Sequence, residues 1–242
     1  VISEAALPGE SPFLPVICLC QAWMTVAPKE RLRLVLLTNR NESAVASGVS
    51  AFAQTLSAES SLFSFKSIHS PSPLEPTVWV SELSDWTSKA AVLSYRAGQR
   101  LKKVWAAQHL VPVAQSSEVF KADGCYLITG GAGKLGLLFA RYLASQTKAQ
   151  VVLTGRSALA GDSLEAVTSL GENVSYRACD VAKATDVEAL IQDLRREFGR
   201  VNGVLHSAGF TDDGLFRQKT VESFQAVLAP KVLGARHLDA AI

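Results

Sequence analysis

The chain has 242 residues, 24 Lys and Arg against 22 Asp and Glu, and 48% hydrophobic residues. That length fits one large or two modest globular domains with a buried core, and the composition excludes a disordered chain. A net charge of +2, with no cationic run longer than the Lys102-Lys103 pair, excludes a dense phosphate-binding surface, so no nucleic-acid partner is expected.

The apolar stretch 13–27 contains Pro15 and Gln21 and has no basic residue before it. At about half to three-quarters of a bilayer span it is neither a membrane helix nor a signal peptide, and no membrane partner is expected. Within it, 15–20 reads as a buried strand. Further strands are expected over 32–38, 61–68, 78–80, 91–95 and 101–107, the last after a turn at Gly98. An Ala-rich helix is expected over 42–56 and a Pro-rich loop over 70–76. Where the strand 32–38 ends, the chain reads Asn39-Arg40-Asn41-Glu42. No glycine there lets backbone approach a pyrophosphate, so this half is expected not to hold a dinucleotide in the usual way. Cys18, Cys20, Cys125 and Cys179 form no C-x-x-C and have no neighbouring His. They read as reduced core thiols of a cytoplasmic protein, with no metal site. The polar, Ser-containing stretch between Val111 and Asp123, with Pro112, reads as a linker.

The second half opens on a short buried strand over 125–129 that runs into Gly130-Gly131-Ala132-Gly133-Lys134-Leu135-Gly136. Leu135, Leu138, Phe139, Tyr142 and Leu143 then recur at helical spacing. Strand, glycine turn and helix together are the context that makes this motif a dinucleotide site: glycines bring N–H groups to the phosphates, and the helix N-terminus adds partial positive charge. A second strand, 150–154, ends in Gly155-Arg156-Ser157, where an NAD site carries Asp or Glu. Arg156 pairs instead with a 2′-phosphate, so NADPH is the expected cofactor. A third strand, 174–179, ends in Asp180-Val181, at the adenine. Thr185 and Glu188 read as a capping box ahead of the stripe Val187, Leu190, Ile191, Leu194 and Phe198. The fourth strand, 201–205, leads into His206-Ser207-Ala208-Gly209. Ser207, Ala208 and Gly209 are small enough to admit the nicotinamide ribose, and His206 reads as held by its strand neighbours rather than as an acid–base group.

Five ordered motifs carry a resemblance: T-G-G-A-G-K-L-G, the G-R after the second strand, C-D-V, H-S-A-G, and A-P-K-V-L-G-A-R-H-L over 229–238. Together they resemble the ketoreductase domain of modular polyketide synthases, a branch of the short-chain dehydrogenase/reductase superfamily. The match covers 124–242; the first half is similar more loosely, through 51–56 and 93–98. The resemblance implies an α/β fold, a Rossmann-like parallel sheet flanked by helices, preceded by a second, truncated Rossmann-like structural subdomain. Residues 1–120 correspond to the structural part and 121–242 to the cofactor-binding part. The implied reaction is hydride transfer from NADPH to the β-ketone of an acyl chain on an acyl carrier protein, with neighbouring synthase domains as further partners. No Y-x-x-x-K is present. By motif, Lys231 is instead the family's catalytic Lys, and Asp213, in Phe210-Thr211-Asp212-Asp213, takes the position diagnostic of B-type, D-hydroxyl products, although Thr211 departs from the usual Leu. The loop precedes a helix capped by Thr220. The chain begins on Val1 rather than Met and is still helical in pattern at Ile242, so both ends are expected to be cut; the family's Ser, Tyr and Asn fall beyond Ile242, so the chain is expected to be inactive alone. Two other readings are a ketoreductase-like scaffold that has lost its reaction and a different NADP-dependent short-chain reductase.

Overall fold

The computed structural model describes residues 2–3, 14–26, 29–38, 44–87, 90–109 and 120–242. They form two contact-dense units, Val1–Leu110 with Leu215–Gln218, and Val111–Gly214 with Lys219–Ile242. The fold is α/β in both.

In the first unit the described elements are β1 (Ile2–Ser3), α1 (Leu14–Val26), β2 (Leu32–Thr38), α2 (Ala44–Glu59), β3 (Phe63–His69), α3 (Pro76–Ser84), β4 (Ala90–Arg96) and β5 (Gln99–Lys102). The strands lie in the order β1-β2-β3-β4-β5, parallel except for the β4–β5 hairpin. Ala97 (φ 48) and Gly98 (φ 77) turn that hairpin, both left-handed, as a two-residue turn matching the strand twist requires.

Three expected strands are corrected here. The apolar run expected as a strand over 15–20 is part of α1, whose Val16, Ile17 and Cys20 share the buried face. A continuous apolar run does not distinguish a buried strand from a buried helix, and Pro15 sits in the first turn, where its missing N–H costs nothing. The expected strand over 78–80 belongs to α3, which starts on Pro76. The strand expected over 101–107 stops at Lys102; Lys103 donates one last bond to Val92 O at 2.9 Å, and Val104 and Trp105 are exposed. The Asn39-Arg40-Asn41-Glu42 segment and most of the expected linker lie outside the described residues. Of the cysteines, Cys18 is exposed and Cys20, Cys125 and Cys179 are buried, all free.

One charged cluster lies inside the first unit. Lys66 and Glu82 are 3% and 2% exposed and 2.9 Å apart, and Lys66 Nζ also donates to the Glu82 carbonyl at 2.5 Å. Tyr95 Oη donates to Glu82 Oε1 at 2.6 Å, Arg100 donates to both carboxylate oxygens, and Lys66 Nζ sits 5.1 Å from the Trp86 ring centroid. Burial pushes the Glu82 carboxyl up, but the hydrogen bonds from Arg100, Tyr95 and Lys66 outweigh it and bring it down to about 2. A short 3₁₀ turn, Phe216–Gln218, completes this unit. Phe216 is buried against Phe52 with ring centroids 5.2 Å apart, its N–H donates to Glu59 Oε1 at 2.9 Å, and its carbonyl accepts from Gln21 Nε2 at 3.2 Å.

The second unit contains β6 (Cys125–Thr129), α4 (Lys134–Gln146), β7 (Gln150–Gly155), α5 (Asp162–Thr168), β8 (Val174–Ala178), α6 (Ala184–Phe198), β9 (Gly203–His206) and α7 (Val221–Ala241). Its sheet runs β8-β7-β6-β9, all parallel. The first strand therefore sits between the second and the fourth, which makes the β6/β9 boundary a topological switch point. Successive β6 side chains go to opposite faces: Cys125 and Leu127 join Val187, Ile191 and Leu194 of α6, while Tyr126 and Ile128 join Ala140 and Leu143 of α4. Each fully buried Leu or Ile of this kind contributes about 1.5–3 kcal/mol.

Two sequence expectations fail in these helices. Most of the large stripe of α4 faces outward: Leu135, Leu138 and Tyr142 are more than half exposed, and of the stripe Leu143 is buried, beside Gly136 and Ala140. Small residues let this helix approach the sheet closely, and that requirement outranks the burial of bulk. The Thr185/Glu188 capping box does not form; the N-cap is Lys183, and Asp186 Oδ2 accepts the Asp180 N–H at 3.4 Å instead. The α6 stripe is buried as expected, and Thr220 caps α7 by accepting the Ser223 N–H at 3.2 Å. No helix among the described residues is long and apolar enough to cross a membrane.

Candidate cofactor and active site

The carboxyl ends of β6, β7, β8 and β9 open on a cleft of about 300 Å³ in the second unit. Of the residues expected from sequence, Gly130, Arg156, Asp180, Val181, Ala208 and Gly209 line it together. Gly130 has φ +64, and a Cβ there would lie 2.7 Å from Ser207 O, so only glycine closes this turn. Gly131 and Gly136 serve packing: a Cβ on Gly131 would fall 2.5 Å from Leu153 Cβ, and one on Gly136 2.6 Å from Gly130 O. Gly131 N–H donates to Thr154 O and Gly133 N–H to Gly130 O, each at 3.0 Å. Gly133 is the N-cap of α4, so Lys134, Leu135 and Gly136 open the helix just beyond the turn.

Arg156 follows β7 at the cleft wall and makes no hydrogen bond or ion pair among the described residues; its guanidinium carbon lies 5.5 Å from the Phe210 ring centroid. Ser157 does not line the cleft. Its carbonyl accepts from Tyr176 Oη at 2.7 Å, which fixes the turn carrying Arg156. Asp180 Oδ1 accepts the Ala182 N–H at 3.1 Å. Burial, reinforced by the nearby Asp186 carboxylate, pushes the Cys179 thiol up to about 11, so this cleft residue is a neutral wall and no nucleophile.

Thr129, the last residue of β6, organises the far wall, and sequence reasoning missed it. Its carbonyl accepts Ser207 Oγ at 2.7 Å and Ser207 N–H at 3.2 Å, turning Ser207 toward the sheet and away from the cleft. Its hydroxyl accepts the Ala208 N–H at 3.2 Å and lies 2.7 Å from His206 Nδ1. His206 Nε2 is 2.9 Å from Pro230 O. A carbonyl only accepts, so Nε2 carries the proton, and in the neutral ring Nδ1 accepts from the Thr129 hydroxyl. His206 thus bolts β9 to α7, as a structural group. On α7 the next residue is Lys231, whose Cε would lie 3.3 Å from a Cβ on Gly209, so its side chain lies along the small-residue turn. Gly234 brings the same helix against Val181, with a Cβ there only 2.9 Å from Val181 Cγ2.

In the loop after β9, Asp212 holds the structure: Ser223 Oγ donates to it and Lys219 Nζ is 3.5 Å away, contacts that keep its carboxyl below the usual range. Asp213 beside it is exposed. Among the described residues no group of three His, Cys, Asp or Glu is placed to hold a metal ion.

Comparison with known proteins agrees with this architecture. The family model described as KR domain matches residues 124–242. Polyketide synthase PksN of Bacillus subtilis (strain 168) is 39% identical over 163 residues, 66% of this chain and 3% of that protein. Polyketide synthase ThaG of Burkholderia thailandensis is 33% identical over 221 residues, 86% of this chain and 4% of that protein. The chain therefore spans only a small part of these relatives. A solved ketoreductase domain from the bacillaene assembly line superposes with a TM-score of 0.82 at 30% identity, covering 95% of this chain and 56% of that one. Through residues 124–242 the chain belongs to the KR domain family.

Proposed function

We propose that the chain is the cofactor-binding portion of a ketoreductase that uses NADPH to reduce the β-keto group of an acyl chain held on an acyl carrier protein, within a cytoplasmic multidomain synthase. The observation that carries this reading is Arg156, a cation with no ion-pair partner among the described residues, on the wall of a cleft where Gly130 and Gly209 expose backbone. A 2′-phosphate is the ligand group that such a guanidinium pairs with most strongly.

The residues present fit a dinucleotide. Gly130 combines a left-handed backbone with no room for a Cβ, and Gly131 and Gly133 use their N–H groups inside the turn. Pyrophosphate binding then falls to the N–H groups that open α4, at Lys134, Leu135 and Gly136, with the helix dipole behind them. Asp180 and Val181 are the residues for the adenine, Arg156 for the phosphorylated ribose, and Ala208 and Gly209 for the nicotinamide ribose; Ser157, off the cleft wall, and Ser207, turned toward the sheet, do not join them. The bound cofactor supplies the hydride. The ketone oxygen then needs a proton and a compensating charge, and the Lys231 ammonium beside Gly209 contributes the charge. Asp213 directs D-hydroxyl stereochemistry from the loop after β9; an L-hydroxyl product of the intact synthase overturns that assignment.

Fluorescence titration of the 242-residue chain with NADPH and NADH tests the reading. Tighter binding of NADPH is expected, and Arg156→Gln should weaken NADPH by about tenfold, the size of one charge-assisted hydrogen bond, with NADH unchanged. Equal binding of the two cofactors by the wild type overturns it.

A further inference from the structure

We infer that Phe210 strengthens the NADPH preference by holding the Arg156 guanidinium over its ring, so that the guanidinium N–H donors are ready for a 2′-phosphate. The inference rests on the proposed role of Arg156 and assigns the group that makes Arg156 effective. Arg156 and Phe210 line the same cleft from different strands, Arg156 after β7 and Phe210 after β9, with the guanidinium carbon 5.5 Å from the ring centroid. Tyr176 holds the other side of the Arg156 turn: its hydroxyl donates to Ser157 O at 2.7 Å and would be 2.7 Å from a Cβ on Gly155. The backbone carrying Arg156 is therefore fixed on one side and its head group on the other.

A guanidinium stacked by its face keeps its N–H donors free around the edge, which is the geometry for bidentate pairing with phosphate. An unsupported Arg must give up several rotatable bonds when it binds; one already lying on an aromatic ring gives up fewer, and the difference reappears as affinity. NADH has no group for that edge, so the benefit of the stack falls on NADPH alone. Phe210 is a positioning residue, since it acts through Arg156.

The test is titration of NADPH and NADH into the full 242-residue chain carrying Phe210→Leu, Phe210→Tyr or Phe210→Trp, alone and with Arg156→Gln. Phe210→Leu is expected to weaken NADPH by about two- to fivefold, the range of one exposed cation–π contact, and to leave NADH unchanged. Phe210→Tyr and Phe210→Trp, which keep an aromatic face, should retain the NADPH preference. With Arg156→Gln, Phe210→Leu should have no further effect on the NADPH-to-NADH ratio. Equal weakening of both cofactors, or an undiminished Phe210→Leu effect in the Arg156→Gln background, overturns the inference. A wild type that binds NADPH and NADH equally removes the reading of Arg156 itself, whereas a wild-type preference that survives unchanged in Phe210→Leu removes only the role of Phe210.

Discussion

Both sheets place a Thr and a His in register at the ends of adjacent parallel strands. In the first unit Thr38 pairs with His69, 3.1 Å between Oγ1 and Nδ1; in the second Thr129 pairs with His206 at 2.7 Å. The strand ends beyond the two pairs differ. After Thr129 comes Gly130, and after His206 come Ser207, Ala208 and Gly209, so backbone forms the cleft. The first sheet instead ends β3 on His69 and β4 on Arg96, and the hollow there, about 780 Å³, has no glycine in its lining. The larger hollow is thus the one lacking the glycine turn that a dinucleotide needs. Cavity size does not single out the proposed cofactor site; the chemistry of the strand ends does.

The units also differ in what holds them together, and that difference can be broken. All four tryptophans, Trp23, Trp79, Trp86 and Trp105, lie in the first unit, so tryptophan fluorescence reports its unfolding and cofactor titration reports the second. Glu82→Ala leaves Lys66 buried without its carboxylate and is expected to destabilise the first unit by about 3–5 kcal/mol, with NADPH affinity retained. Loss of both signals together would mean that the units fold as one block. The same carboxyl sets an acid limit. Its folded value of about 2 lies below the ordinary 4.5, so its contribution is complete above pH 4.5 and is lost as the pH falls toward 2. Tryptophan-detected acid unfolding should fall in that window and lose its pH dependence there in Glu82→Gln.

Gly131→Ala attacks the second unit by crowding. Its Cβ meets Leu153 Cβ at 2.5 Å, and a cost of about 1–3 kcal/mol is expected, read as weaker cofactor binding and a lower melting temperature by far-UV circular dichroism, with the tryptophan transition unmoved. The smallest effect belongs to Thr220→Ala, which removes the side-chain cap of α7 and should cost about 1 kcal/mol, measured by urea unfolding.

The second unit was the more legible in sequence because its chemistry is written in local order: strand, glycine turn, helix, then Gly155-Arg156-Ser157, Cys179-Asp180-Val181 and Ser207-Ala208-Gly209 at the later strand ends. Gly130, Arg156, Asp180 and Gly209, named from position, do line one cleft. The outward face of α4 could not be read, because hydrophobicity marks bulky residues and this helix buries Gly136 and Ala140. Phe210 and Thr129 were invisible for another reason: each acts through one contact with a residue distant in sequence. In the first unit α1 and α3 read as strands, since a short apolar run carries no period; Pro15 and Pro76 near the helix starts were the neglected signals. The Lys66–Glu82–Tyr95–Arg100 cluster leaves no motif, because three separate elements and a strand edge supply its members.

Phe216 changes where this protein can be divided. The chain leaves the second unit at Gly214, spends four residues in the first, and returns at Lys219, so a cut in the Val111–Asp123 region separates neither unit cleanly. A first unit transplanted into another protein without 215–218 loses the ring packed on Phe52 and the bond to Glu59. The exchangeable piece is discontinuous, and a graft that respects it must carry the Phe216 turn along with the first hundred residues.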